Sequence, residues 1–300
     1  MTTPAQEAIH GLQNRFTALH RRNISRLDKH DVVVASFGGA GQSLLGNTLG
    51  ELGLNYVDAY SKSCYQTARP VPRTPTRTSA PGCRHRTAGC SEPGCRHRTA
   101  GCSDAAQRRI TPWHRFVKTH LPPRYFSSGP LLGAWVLVRD PRDALYSRYR
   151  FRIGYAKDPW DMAAGTFGSW LARPGPVGLT PVDDWSHFYG QWWEATQQFP
   201  SAAVTRYEDL KADPLGTLPA VLRKFGVDIS QKRLAEAVDN SSFTAMSAHE
   251  ARTAGSKAQA ESGERVMRRG KTGVEGVDDT TPAHLLHGAR GKASGSALRL

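Results

Sequence analysis

The sequence predicts an α/β domain with a central parallel sheet flanked by helices, and three observations carry that expectation. Short β-branched runs alternate along the chain with stretches of helical periodicity. The first run passes through a glycine-rich turn into a helix. The residues able to do chemistry, at 37–43, 118–120, 139–147 and 207–209, all follow such runs, and open parallel sheets bind ligands at the carboxyl ends of their strands. Composition agrees with one folded unit of 300 residues. Counted with its 29 glycines and without its 9 tyrosines, apolar residues reach about 46%, within the ~45–50% usual for globular chains.

Glu7 to Leu27 has apolar residues at Ile9, Leu12, Phe16 and Leu19, so an N-terminal helix is expected within residues 1–30. Asp31 to Ser36 (DVVVAS) reads as a buried parallel strand. Gly38, Gly39 and Gly41 follow, and Leu44, Leu45, Leu49 and Leu52 then mark one helix face. This order is P-loop-like: glycines let backbone N–H groups converge on an anion at a helix N-terminus. The expected cradle is Gly39, Ala40, Gly41, Gln42 and Ser43. ATP chemistry is disfavoured, because Gly41 is followed by Gln42 where a P-loop requires Lys. Further strands are expected at Arg115–Lys118, Ala134–Val138 and Ala202–Arg206. Helices are expected from Arg139-Asp-Pro-Arg-Asp143 through Tyr149, over Val182–Phe199, around Leu215–Phe225, and over Gln231–Val238.

The formal charge of +14 is unevenly distributed. Nine arginines stand against Glu92 and Asp104 between residues 66 and 109, so half the excess lies in one Pro-, Thr- and Gly-rich stretch. That stretch reads as a basic insertion, and it holds PGCRHRTAGCS twice, at 81–91 and 93–103. Four cysteines, Cys83, Cys90, Cys95 and Cys102, lie in the repeat, but their C-x₆-C-x₄-C-x₆-C spacing lacks the paired knuckles of structural zinc sites, so no metal is expected. Nucleic-acid binding is expected to go no further than weak electrostatics through this segment. The longest strongly apolar stretch, Leu131–Val138, is far short of the ~20 residues that span a bilayer, and Met1–Ile9 lacks the features of a secretory signal. A cytoplasmic protein without membrane association is the expectation.

From Asp31 to Gly273 the chain resembles the PAPS-dependent sulfotransferase family, especially its cytosolic branch. Five blocks carry the resemblance in order: Phe116-Val-Lys-Thr-His-Leu-Pro122; Val138-Arg-Asp-Pro-Arg-Asp143 with Ser147; Arg206-Tyr-Glu-Asp-Leu210; Ser241-Ser-Phe243; and Arg268-Arg-Gly270. The resemblance implies a domain over 31–273, interrupted at about 66–109 and followed by a tail at 274–300. It implies 3′-phosphoadenosine 5′-phosphosulfate (PAPS) as sulfuryl donor, PAP as product, and a small organic acceptor offering a hydroxyl, such as a phenol, alcohol or glycoside. Arg139, Ser147, Arg268, Arg269 and Gly270 then bind the 3′-phosphate, and Tyr207 and Phe243 neighbour the adenine. His120 is the implied general base and Lys118 an electrostatic stabiliser. The residue chemistry agrees, since a planar guanidinium suits phosphate and an imidazole titrates near neutrality.

The family's first turn usually reads PKSGTTW, with its Lys on the 5′-phosphosulfate, whereas this chain has Gly38-Gly-Ala-Gly-Gln-Ser-Leu44. Gly39 stands at the position of that Lys, and Leu44 at that of the Trp flanking adenine. Loss of such a charge-assisted contact costs about 1.5–3 kcal/mol. If the contact acts mainly in the transition state, the cost is about 10²–10³ in rate. After Gly273, Val274-Glu-Gly276 replaces the usual DWK. The alternative reading is therefore a non-catalytic protein of the same fold that keeps the 3′-phosphate site.

Overall fold

A computed structural model describes residues 23–58, 114–175 and 178–253, less residues 26, 127 and 128. Most of the expected N-terminal helix, the basic insertion with its repeated cysteines, Arg268–Gly270 and the tail at 274–300 lie outside the described residues.

Five parallel strands form one sheet: β1 (Asp31–Ser36), β2 (Asn55–Asp58), β3 (Arg115–Thr119), β4 (Gly133–Val138) and β5 (Ser201–Arg206), in the order β2-β3-β1-β4-β5. Val33 of β1 aligns with Val117 of β3 and Ala134 of β4, and Val136 of β4 with Val204 of β5. β1 is buried at every position because helices cover both faces, and its β-branched run suits a strand buried on both sides. β2 is a strand that the periodicity does not reveal. It has four residues, polar at both ends, and is held by pairing with β3.

On one face Val33, Ala35 and Val136 pack against α2 (Pro141–Arg150), α4 (Phe167–Ala172) and α5 (Pro181–Thr196), whose Trp170, Trp185, Phe188 and Trp192 fill the layer. On the other, Val32, Val34, Phe116, Trp135 and Leu137 meet α1 (Gln42–Glu51), α6 (Tyr207–Ala212), α7 (Pro214–Lys224) and α8 (Gln231–Asn240). A short α3 (Pro159–Met162) and a final α9 (Phe243–Thr253) complete the described α-helices. The Trp185–Trp193 group thus serves largely as core, as its helical spacing suggests. α2, α3, α5 and α7 each begin with Pro behind an Asp or Thr cap. Asp140 accepts from the Arg142 amide, Asp158 from Trp160, Thr180 from Asp183 and Asp213 from Gly216. Proline suits this first position because its missing N–H would lack a helical partner anyway.

At the amino end of the sheet, Arg115 binds both carboxylate oxygens of Asp31 at 2.5 and 2.6 Å, joining β3 to β1. Burial pushes the Asp31 carboxyl above its ordinary value, against the pull of the guanidinium. The carboxyl end is different. From β1 the chain moves to the β2–β3 side, and from β4 to the β5 side, so a crevice opens between the ends of β1 and β4.

Candidate functional site

The turns leaving β1 and β4 meet across that crevice. In the first, Gly39 and Gly41 have φ of 89° and 91°, in the region glycine favours. Space also demands these residues. A Cβ on Gly41 would fall well under 3.0 Å from the Tyr207 ring, and one on Gly39 well under 3.0 Å from the Ala144 carbonyl oxygen. Gly41 caps α1 without a side-chain hydrogen bond, and the amides of Leu44 and Leu45 both donate to its carbonyl. The amides of Gln42 and Ser43 therefore lie beyond reach of the helix's own carbonyls, at the positive end of its dipole. This is the backbone arrangement that the sequence leads one to expect of a cradle for an anion.

The side chains do less here than the sequence suggests. Gln42 turns inward, donating Nε2 to the Val34 carbonyl at 2.7 Å, so it offers a ligand its amide and not its side chain. The Ala40 amide closes the turn onto the Phe37 carbonyl at 3.1 Å and is spent there. Ser43 is exposed.

The second turn is braced by the Tyr207-Glu208-Asp209 block. Glu208 accepts from the Asp140 amide at 3.0 Å, while the Asp140 carboxylate holds the Arg142 guanidinium at 2.9 and 2.8 Å. Arg139 reaches across to the first turn. Its Nη1 donates to the Gly39 carbonyl at 2.9 Å, and its Cζ lies 4.5 Å from the centre of the Tyr207 ring. It also pairs with Asp143 at 3.7 Å, with the two side chains 13% and 6% exposed, so the ion pair that an Arg-Asp-Pro-Arg-Asp run allows is formed, away from open solvent. Gly39, Gly41, Arg139 and Tyr207 are one packed group. Ser147 belongs to the turn of α2 whose backbone, at Ala144 and Arg148, borders Gly39.

Tyr189 fixes the two turns to each other, a role sequence reasoning missed. Its buried hydroxyl accepts from the Phe37 amide at 3.1 Å and donates to the Leu137 carbonyl at 2.8 Å. Burial pushes this phenol well above its ordinary value, so it stays a donor.

His120 follows β3. Its Nδ1 lies 2.7 Å from the Ser36 carbonyl, which can only accept, so Nδ1 carries a proton and the lone pair of the neutral ring is on Nε2. The next carbonyl, that of Leu121, accepts from Trp192 Nε1 at 3.0 Å, which fixes the segment. Lys118, half-buried in β3, aligns with Val34 of β1 and Asp58 of β2. Phe243 opens α9, which docks on α1 through Asn47 Nδ2 and Met246 Sδ at 2.9 Å. Among the described residues no group of three or more His, Cys, Asp or Glu gathers to hold a metal, and no helix is long and apolar enough to cross a membrane.

The same fold occurs in solved structures. One of mouse sulfotransferase SULT7A1 complexed with PAP matches at TM-score 0.58 and 14% identity, over 95% of this chain and 90% of that one. Retinol dehydratase in complex with androsterone and inactive cofactor PAP matches at 0.54 and 17%, over 94% and 87%. Sequence similarity is more local. Mouse sulfotransferase 2A1 is 30% identical over 138 residues, 44% of this chain and 46% of the relative. Rat sulfotransferase 2A6 is 28% identical over 137 residues, 44% and 46%. The chain thus spans about half the length of these curated relatives. Residues 59–274 match the family model of the sulfotransferase domain, which takes in the Lys118–His120, Arg139–Ser147, Tyr207 and Phe243 segments and begins after the glycine turn. On a match covering well over half its length, the chain belongs to the sulfotransferase family.

Proposed function

We propose that this chain transfers a sulfuryl group from PAPS to a hydroxyl of a small organic acceptor, and that the crevice between β1 and β4 binds the nucleotide. The contact between Arg139 and the Gly39 carbonyl carries the reading, because it unites the implied 3′-phosphate element with the backbone cradle at 2.9 Å. The residues present fit a nucleotide with two anionic ends. Gly39 and Gly41 let the turn pack directly on α2 and Tyr207, the Gln42 and Ser43 amides open α1, and Tyr207 supports the guanidinium. PAP in the matching structures is consistent with this.

PAPS supplies the activated sulfuryl group when bound, and PAP is what remains of it. Arg139 and Ser147 hold the 3′-phosphate, joined by Arg268, Arg269 and the Gly270 backbone, which lie outside the described residues. Tyr207 and Phe243 flank the adenine. His120 takes the acceptor hydroxyl's proton at Nε2, and its Nδ1–H contact with Ser36 stabilises the ring once it is charged. Lys118 offsets negative charge at the reacting centre.

The test is transfer of labelled sulfate from PAPS across a panel of phenols, alcohols and glycosides. Transfer by the wild type, abolished in His120→Ala with PAP affinity kept within a few-fold, supports this reading. The crowding of Gly39 by α2 favours the non-catalytic alternative, which predicts PAP binding with no transfer to any acceptor.

A further inference from the structure

Resting on that reading of the nucleotide site, the structure raises a question of charge. The position that holds the family's cation is closed here, since α2 occupies the space a side chain on Gly39 would enter. The helix that closes it brings a cation of its own. The amide of Arg148 lies 3.0 Å from the place of a Gly39 Cβ, and its Cδ 3.5 Å from that of a Gly38 Cβ. Its guanidinium then covers the Phe37 ring, with Cζ 4.3 Å from the centroid. The side chain thus runs along the turn, beside Phe37 and Gly38, and the preceding residue, Ser36, anchors His120.

We propose that Arg148 binds the 5′-phosphosulfate end of the nucleotide, supplying from the facing helix the positive charge that Gly39 cannot carry. A guanidinium has five N–H donors, and among the described residues one of them meets Asp184 of α5, at 3.2 Å. Donors therefore remain for an anion. Burial pushes Arg148 below its ordinary value and Asp184 pulls it back, so a second anion acts in the same sense as the first. Tyr189 and the Asp184 contact both come from α5, so the helix that fixes the turn also aims the cation. Arg152 does not share this placement. Arg152 is committed to Asp158 and Asp161, away from the glycine turn.

The experiment compares PAPS with adenosine 3′-monophosphate, which lacks the 5′ anion, by calorimetric titration of wild type, Arg148→Met, Arg148→Lys and Asp184→Asn. The expected result is that Arg148→Met weakens PAPS about 10- to 100-fold, the range for loss of a charge-assisted contact. Adenosine 3′-monophosphate changes less than about twofold, Arg148→Lys recovers part of the loss, and Asp184→Asn tightens PAPS severalfold. Arg148→Met weakening both ligands alike, or neither, overturns the proposal. So does Asp184→Asn weakening PAPS as much as Arg148→Met, which makes the pair a structural unit. If Arg148→Met fails to fold, Arg148→Lys and Asp184→Asn decide the matter by the same comparison. A wild type that binds adenosine 3′-monophosphate as tightly as PAPS removes the proposal while leaving the 3′-phosphate site standing. A folded wild type that binds neither removes the nucleotide reading itself.

Discussion

Gly39 lies against the Ala144 carbonyl so closely that α2 itself dictates glycine there. In this chain the backbone of α2 fills the space that any side chain at position 39 would need. Restoring the lysine to this chain should harm it. Gly39→Lys is expected to destabilise the fold by at least about 2 kcal/mol, from the positive φ and the clash with backbone, and to weaken PAP binding. Thermal unfolding with and without PAP checks both. A stable variant with tighter binding would show that α2 yields easily.

Tyr189→Phe deletes one hydroxyl and leaves the buried Phe37 amide and Leu137 carbonyl without it. A loss of about 1–3 kcal/mol in denaturant unfolding is expected. PAP affinity should fall as well, because this hydroxyl sets the spacing of the two turns.

His114, beside the amino end of β3, supplies a pH dependence. Burial lowers its pKa from the ordinary 6.5, with His30 adding to the effect. The unfolded chain then binds a proton near pH 6.5 that the folded chain refuses. This contribution to stability is full above pH 6.5 and is lost as pH falls toward the depressed value. Melting temperature should drop between pH 7 and 5, and His114→Gln should flatten the decline. An unchanged slope in the variant would assign the acid sensitivity elsewhere.

Much of the fold is legible because burial on both faces of a parallel sheet demands contiguous apolar runs. Val32–Ala35 and Ala134–Val138 announce themselves, and Asp140-Pro141 marks the start of α2. β2 is hidden because four residues with polar ends have no period to detect, and α3 and α4 because four and six residues hold barely a turn or two. In the site, the residue types at 118–120 and 139–147 are visible as motifs, and their common place at the carboxyl end of the sheet follows from strands that run parallel. The inward turn of Gln42 is not legible, since it depends on a carbonyl eight residues earlier. Nor does the Ser-Arg-Tyr-Arg-Phe-Arg run say which arginine faces the glycine turn, because helix phase and the place of Asp184 decide that.

The central claim is a nucleotide site joining Arg139 to the glycine turn, and calorimetric titration with PAP tests it most directly because it needs no knowledge of the acceptor. The wild type should bind tighter than about 10 μM, roughly −7 kcal/mol, and Arg139→Ala should lose that binding. A folded wild type that takes up no PAP, or an Arg139→Ala variant that binds it unchanged, would rule out a nucleotide site at Arg139.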